Sequence, residues 1–160
     1  MTSRYSPRVT IQHPKGALPP DVLESLEQLI FGAIGLTSFA LADADVADLT
    51  LIQWRAMVVI GRADGLRVSE IAARVGMSLP STSRLVSRLE RRGYIKAVRD
   101  ETDRRATIVS MTDEGRRVRS AVIERRRQLM NSSLAAYGST LPKDLARGLA
   151  TLARAFAPYE

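Results

Sequence analysis

The stretch that decides the fold runs from Ser78 to Gly115 and reads SLPSTSRLVSRLERRGYIKAVRDETDRRATIVSMTDEG. Ser78 is a good N-cap for a helix that we expect to continue to about Arg92, with Gly93 at its C-terminal end. Two strand-like runs follow at 94–99 and 106–111, and a polar hairpin tip joins them. The stretch therefore predicts a helix followed directly by a β-hairpin.

The residues before Ser78 predict two more short helices. Thr50 and Gln53 form a capping box at the start of a helix that should run from Leu51 to about Ala63. A second helix is expected around residues 69–75, and Gly76 ends it. Two short helices joined by a tight glycine-containing turn form a helix-turn-helix, and the hairpin makes it the winged version. This module should occupy residues 49–112.

Longer helical patterns flank the module. We expect a helix over 21–42, with Asp21 as N-cap and Glu24 completing a capping box. Thr112 should cap a long helix over 113–136, and a last helix should begin near Pro142. The predicted fold class is mostly α with a small β-wing: a winged helix-turn-helix plus a helical lobe from residues 21–48 and 113–160. Residues 1–20, with four prolines, predict a flexible arm.

The composition excludes several classes of protein. The 160 residues are 45% hydrophobic and 26% charged, as in a globular protein, and they include no cysteine and a single histidine, His13. Thiolate catalysis, disulfides and most zinc sites are therefore excluded, and Asp43, Asp45 and Asp48 lack the spacing of a calcium loop. We expect neither a cofactor nor an enzyme. No apolar run approaches the roughly 20 residues of a membrane span, so a cytoplasmic protein is expected.

The net charge of +7 is concentrated in one part of the chain. Residues 84–127 contain 14 Arg/Lys and 7 Asp/Glu, whereas the rest of the chain contains 10 of each. A contiguous basic segment of this kind is typical of contact with a polyanion, although a solvated basic surface has the same composition.

The helix after Ser78 has a polar and an apolar side. At about 100° per residue, Arg84 and Arg88 fall on the same arc as Ser81, while the leucines fall on the other. Such a helix suits the major groove of DNA, where Arg can bond guanine bidentately and the N-terminal turn meets the base edges. The candidate contacts on this helix are Ser78, Leu79, Pro80, Ser81, Thr82, Arg84 and Arg88.

The hairpin tip contains Asp103, Arg104 and Arg105. A narrow minor groove attracts inserted arginine, and Asp103 can orient an arginine by a charge-assisted hydrogen bond. A surface ion pair on an exposed turn is the alternative interpretation. The helix and the tip occur in the order of a DNA-binding winged helix, and this order favours a DNA contact over a surface ion pair.

Five segments together resemble the MarR (multiple antibiotic resistance regulator) family: LTLIQW at 49–54, VSEIA at 68–72, SRLVSRLERRGYI at 83–95, DRR at 103–105 and MTDEG at 111–115. The resemblance implies a homodimer whose outer helices interlock and whose two modules bind one pseudo-palindromic site in double-stranded DNA. It also implies that Arg84 and Ser81 face the major groove, and that Arg105 enters the minor groove, oriented by Asp103.

The family resemblance further implies a repressor released by a small aromatic or phenolic effector, which binds between the two lobes. Phe39, Trp54 and Met57 are candidates for that pocket, and ordinary core packing is the alternative for each. Two other interpretations stay open: a regulator without a ligand, controlled by its own concentration, and a protein-interaction module that reuses the fold.

Overall fold

The computed structural model describes residues 18–43, 49–99 and 106–156. It is mostly helical with a small antiparallel sheet, which confirms the predicted fold class. The elements in chain order are α1 (Pro20–Asp43), α2 (Leu51–Ile60), β1 (Leu66–Arg67), α3 (Val68–Val75), α4 (Leu79–Arg91), β2 (Ile95–Arg99), β3 (Thr107–Met111), α5 (Asp113–Leu134), a 3-10 helix (Ala135–Thr140) and α6 (Leu145–Phe156).

Three predicted N-caps are confirmed. The Thr50 hydroxyl accepts from the Gln53 amide at 3.3 Å, and the Gln53 side chain accepts from the Thr50 amide at 2.8 Å. Ser78 caps α4 and Thr112 caps α5, each by accepting an amide three residues on. These bonds satisfy N–H groups that have no partner within the helix, so they fix where each helix begins.

Some helix ends differ from the prediction. The capping box at Asp21 is wrong, because α1 begins at Pro20 and Asp21 lies inside its first turn. Proline suits this position, since it has no amide that needs a partner. α2 ends at Ile60, where the Gly61 amide bonds back to Met57 O. α6 begins at Leu145, later than expected, after the turn that follows Pro142.

Among the described residues the sheet has the order β1-β3-β2, so β3 is central and β2 lies at an edge. β1, two residues long, was not predicted, because two residues show no periodicity. It pairs Leu66 with Val109, and β2 pairs Ala97 with the same residue from the other side. Val109 is fully buried, so the hairpin is anchored in the core at its base.

The core lies within the winged module and continues to α5 and to Ala40 and Leu41 at the C-terminal end of α1. Its innermost side chains come from every element of the module, and α5 adds Val118 and Val122. The fully buried large side chains are Met57, Ile60, Ile71, Thr82, Leu89, Ile95, Val109 and Val122. Because these contacts surround α4 on its apolar side, they fix which of its faces is exposed.

The apolar surface of α1 and α6 is largely uncovered. α1 packs along α5, yet Phe31 is 81% exposed, and α6 buries none of its residues although Leu149 and Phe156 lie on one side. Among the described residues, one helix is long and apolar enough to cross a membrane by length and composition, Pro20–Ala42, and an 18-residue window of it has a mean hydropathy of 1.4. The expectation that no run reaches that length was therefore wrong, because the acidic residues of α1 lie towards its two ends, at Asp21, Glu24, Glu27 and Asp43, and leave its middle apolar.

Candidate nucleic-acid interface

The exposed side of α4 is basic and hydroxyl-rich. Leu85, Val86 and Leu89 are buried against the rest of the module, whereas Arg84 and Arg88 are exposed. The predicted division of this helix into two sides is therefore confirmed. Since an apolar core holds one side in place, the guanidinium groups of the other side project from a fixed axis towards solvent.

Hydrogen bonds connect the first turn of α4 to its arginines. The Ser78 hydroxyl lies 3.0 Å from the Ser81 hydroxyl, and Arg84 Nη2 donates to Ser81 Oγ at 3.3 Å. Ser78 also accepts the Ser81 amide as the N-cap. This chain of contacts holds the Arg84 side chain along the helix, so less conformational entropy is lost when it binds a target.

Thr82 does not belong to this surface. Its side chain is fully buried, and its hydroxyl donates to Ser78 O at 3.0 Å. A buried and satisfied hydroxyl has no free donor for a base or a phosphate. Leu79 is half exposed and Pro80 is exposed, so the other residues predicted for the first turn remain accessible.

Two grooves lie on either side of α4. One, of about 340 Å³, separates it from the start of α2 and is lined by Thr50, Gln53, Ser81, Arg84 and Arg88, among others. The other, of about 370 Å³, separates it from the hairpin and is lined by Ser69, Leu79, Ser83 and Thr107, among others. An exposed helix face flanked by two grooves suits a duplex, in which phosphate strands flank the groove. Sequence reasoning missed Ser69, Ser83 and Thr107.

The wing itself is described only at its base. Asp103, Arg104 and Arg105 lie outside the described residues, so their predicted contacts stay predictions. Lys96 and Arg99 of β2 are exposed. Sequence reasoning also missed Glu90, whose Oε1 accepts the Ala97 amide at 3.0 Å and so joins α4 to β2.

The basic residues of α5 do not all contribute to one surface. Arg116 pairs with Asp113 at 2.8 Å, Arg117 pairs with Glu114, and Arg127 pairs with Glu124 at 3.7 Å. The hydrogen bond from Arg116, together with its charge, holds the pKa of the Asp113 carboxyl below its ordinary value. Exposed pairs of this kind contribute little stability, and they neutralise local charge.

A separate cleft of about 630 Å³ lies between α1, α2 and α5. Its walls are mostly apolar and include Ile30, Ile34, Leu51, Trp54, Val58 and Ile123. Arg119 and Arg126 of α5 also line it, and the buried Nε of Arg119 has no hydrogen-bond partner among the described residues. Part of the basic excess assigned to a polyanion surface therefore lines a pocket.

The structure separates the three candidate effector residues. Trp54 lines the cleft. Met57, on the same helix, is fully buried in the core, and the side chain of Phe39 is 70% exposed away from the cleft. Trp54 and Met57 lie only about 60° apart on α2, and Phe39 belongs to α1, so spacing along the sequence did not resolve which side chain reaches the cleft.

The fold and this surface define a winged-helix protein whose helix α4 presents arginine and hydroxyl groups for contact with DNA. A family model described as the MarR family matches residues 47–106, which include the whole helix-turn-helix and the first strand of the hairpin. Over these residues the chain matches the MarR family, and its curated relatives are transcription regulators.

Individual relatives agree with this assignment. The uncharacterized HTH-type transcriptional regulator YfiV of Bacillus subtilis is 29% identical over 123 residues, which are 75% of this chain and 77% of YfiV. The crystal structure of Rv1404 from Mycobacterium tuberculosis has a TM-score of 0.77 at 23% identity and covers 88% of this chain and 95% of its own. Streptococcus pneumoniae FabT, solved in complex with DNA, has a TM-score of 0.67 at 19% identity, with 88% and 98% covered. At these identities the solved structures show the fold alone.

Proposed function

We propose that the protein is a cytoplasmic repressor that binds a pseudo-palindromic operator as a homodimer and leaves it when a small effector binds. The exposed Ser81–Arg84 pair on α4 is the single observation that carries the DNA contact, because it presents a positioned guanidinium beside the N-terminal turn. Arg84 and Arg88 would bind in the major groove, and Arg105 would bind in the minor groove with Asp103 orienting it.

The uncovered apolar surfaces of α1 and α6 support the homodimer. A soluble monomer rarely exposes large contiguous apolar patches, and a second copy of the chain would cover them. Two copies of α4 would then lie about one helical turn of DNA apart, which predicts an operator with two half-sites.

A DNA titration tests the proposal. The protein is titrated against the duplex upstream of its own gene and against a scrambled duplex of equal length, at several salt concentrations. Specific binding predicts an affinity at least about 10³-fold lower for the scrambled duplex, and a steep loss of affinity with salt. If the upstream duplex is bound no better, selection from random duplexes decides whether another operator exists. Failure to bind any duplex at low salt would favour the protein-interaction module.

The cleft between α1, α2 and α5 supports the effector. Its apolar walls, with Trp54 among them, suit an aromatic ring, and the unsatisfied Nε of Arg119 suits an acceptor such as a phenolate or carboxylate oxygen. The cleft touches both α1 of the outer lobe and α2 of the DNA-binding module. A ligand that fills it is therefore placed to change how the two lobes meet.

Thermal shift with a panel of phenols and aromatic carboxylates tests this part. A ligand that binds the native state alone raises the melting midpoint, and it should also release DNA. Arg119→Met should remove the response to the anionic members, whereas Arg154→Met, on α6 and away from the cleft, should keep it. If no compound acts on either the midpoint or DNA binding, regulation by concentration alone is favoured. A reporter gene with and without the protein distinguishes repression from activation.

A further inference from the structure

Glu90 connects the recognition helix α4 to the wing. It lies in the last turn of α4, and its Oε1 accepts the backbone amide of Ala97 at 3.0 Å. Ala97 is the middle residue of β2, the strand that continues into the hairpin tip. A single side chain therefore bridges the two elements that the proposed function brings to the same duplex.

The position of β2 in the sheet explains why Glu90 can bond to it. The strand order β1-β3-β2 places β2 at the edge of the sheet, so the amide that Ala97 directs away from β3 has no strand partner in the part of the chain that the structure describes. Glu90 supplies that partner from α4. The base of the hairpin is also held by the turn at Gly93, a residue in the left-handed conformation with φ 74°, and by the buried side chains of Ile95 and Val109. The Glu90 bond adds an attachment on β2 at Ala97, two residues beyond Ile95 towards the tip, and so restrains the angle of the hairpin relative to α4.

The charge of Glu90 does not explain its presence in a helix that binds DNA. It is an acid among Arg88, Arg91 and Arg92, and phosphate repels carboxylate. It lies about 180° around the helix from Ser81, on the side turned away from the proposed DNA contacts. Electrostatics alone predicts that its removal strengthens binding.

We propose that Glu90 is a positioning residue that sets the angle of the wing relative to α4, so that helix and wing reach the same DNA together. The inference rests on the proposed DNA binding. It predicts that losing the Glu90 acceptor weakens specific binding even though a repulsive charge is lost. The opposite signs of the two effects make the proposal testable.

Two variants separate the hydrogen bond from the charge. Glu90→Gln removes the charge but keeps an acceptor oxygen, whereas Glu90→Ala removes both. We expect Glu90→Ala to weaken operator binding by at least about fivefold, the factor equivalent to one lost hydrogen bond of ordinary strength. Glu90→Gln should bind at least as tightly as the wild type. Hydrogen exchange of the Ala97 amide, measured without DNA, should accelerate in Glu90→Ala alone.

A third measurement shows whether Glu90 acts through the wing. In a chain that carries Arg105→Ala, Glu90→Ala should cost less than it does in the wild type, because the wing contact is already lost. An equal cost in both backgrounds would show a general loss of stability and overturn the proposal. So would tighter binding by Glu90→Ala, or an equal weakening by both Glu90 variants. Absence of specific binding by the wild type would instead contradict the proposed function itself.

Discussion

Gly115 packs directly against the backbone of Tyr94: a Cβ atom at Gly115 would lie 2.0 Å from Tyr94 O. Thr112, which caps α5, donates its hydroxyl to Gly93 O at 2.6 Å and its amide to Tyr94 O at 3.1 Å. The first turn of α5 is thus joined to the turn that ends α4. The long helix of the outer lobe and the recognition helix therefore share one rigid joint.

Substitution of Gly115 by alanine should strongly destabilise the fold. The methyl group would meet a backbone carbonyl, which cannot move aside as a flexible side chain can, so we expect a loss of about 1–3 kcal/mol or more in the free energy of unfolding. Urea denaturation measures it. Gly148→Ala on α6, where nothing lies within 4 Å of the added Cβ, is the matched control and should not lower stability. Equal behaviour of the two variants would show that the close approach is absent.

Asp113 gives a prediction about pH. Because its pKa is lowered in the folded protein, chiefly by the hydrogen bond from Arg116, folding favours the ionised form. Its contribution to stability is therefore present above the ordinary pKa of 3.8 and is lost as the pH falls through the lowered value. Asp113→Asn should be less stable than the wild type near neutral pH, and the difference should shrink in acid and at about 1 M salt. A difference that does not change with pH would exclude the ion pair as its cause.

Arg84 should account for sequence discrimination. Arg84→Ala is expected to cost about 1–3 kcal/mol in operator binding and to relax specificity at one base pair in each half-site. Arg84→Lys keeps the charge but loses the planar fork, so the salt dependence should persist while discrimination falls. Arg154→Ala removes an equal charge from α6 and should leave both unchanged. If Arg84→Ala binds both operator and scrambled duplex as the wild type does, Arg84 does not contact a base.

Much of the winged module could be predicted because its signals are local. The caps at Thr50, Ser78 and Thr112 and the glycines at 76 and 93 act within a few residues, so the sequence contains both partners. The same holds for the two sides of α4, which follow from the helical period.

Other features depend on residues that are distant in sequence. β1 forms because Leu66 pairs with Val109, and a strand of two residues is too short to show the alternating pattern that predicts a strand. The helical period places Thr82 on the apolar side of α4 and therefore predicts its burial. Thr82 was nevertheless assigned to the DNA contacts because the N-terminal turn of a recognition helix normally meets the base edges. The bond from Glu90 to Ala97 requires the angle between helix and hairpin, and the convergence of Arg119 with Trp54 requires the packing of α5 on α2.

The apolar surface of α1 gives the last prediction. Phe31 is 81% exposed in the single chain, and a second copy that covers it would gain about 1.5–3 kcal/mol from that side chain. The native mass should therefore be twice the 17.6 kDa of one chain. Phe31→Glu places a charge in the interface and should shift the protein to monomer, and it should weaken operator binding because two half-sites then act separately.

Val98→Glu is the control for the dimer measurement, since Val98 is also an exposed apolar side chain, at 57%, but lies on β2 of the wing. It should leave the mass at that of the dimer. Flotation with lipid vesicles separates the dimer from a membrane role for α1, whose length and hydropathy permit a span. A dimer that covers α1 should stay with the soluble fraction, because the apolar face is already buried against the second copy. A monomer that floats with vesicles would contradict the dimer and assign the apolar face of α1 to lipid.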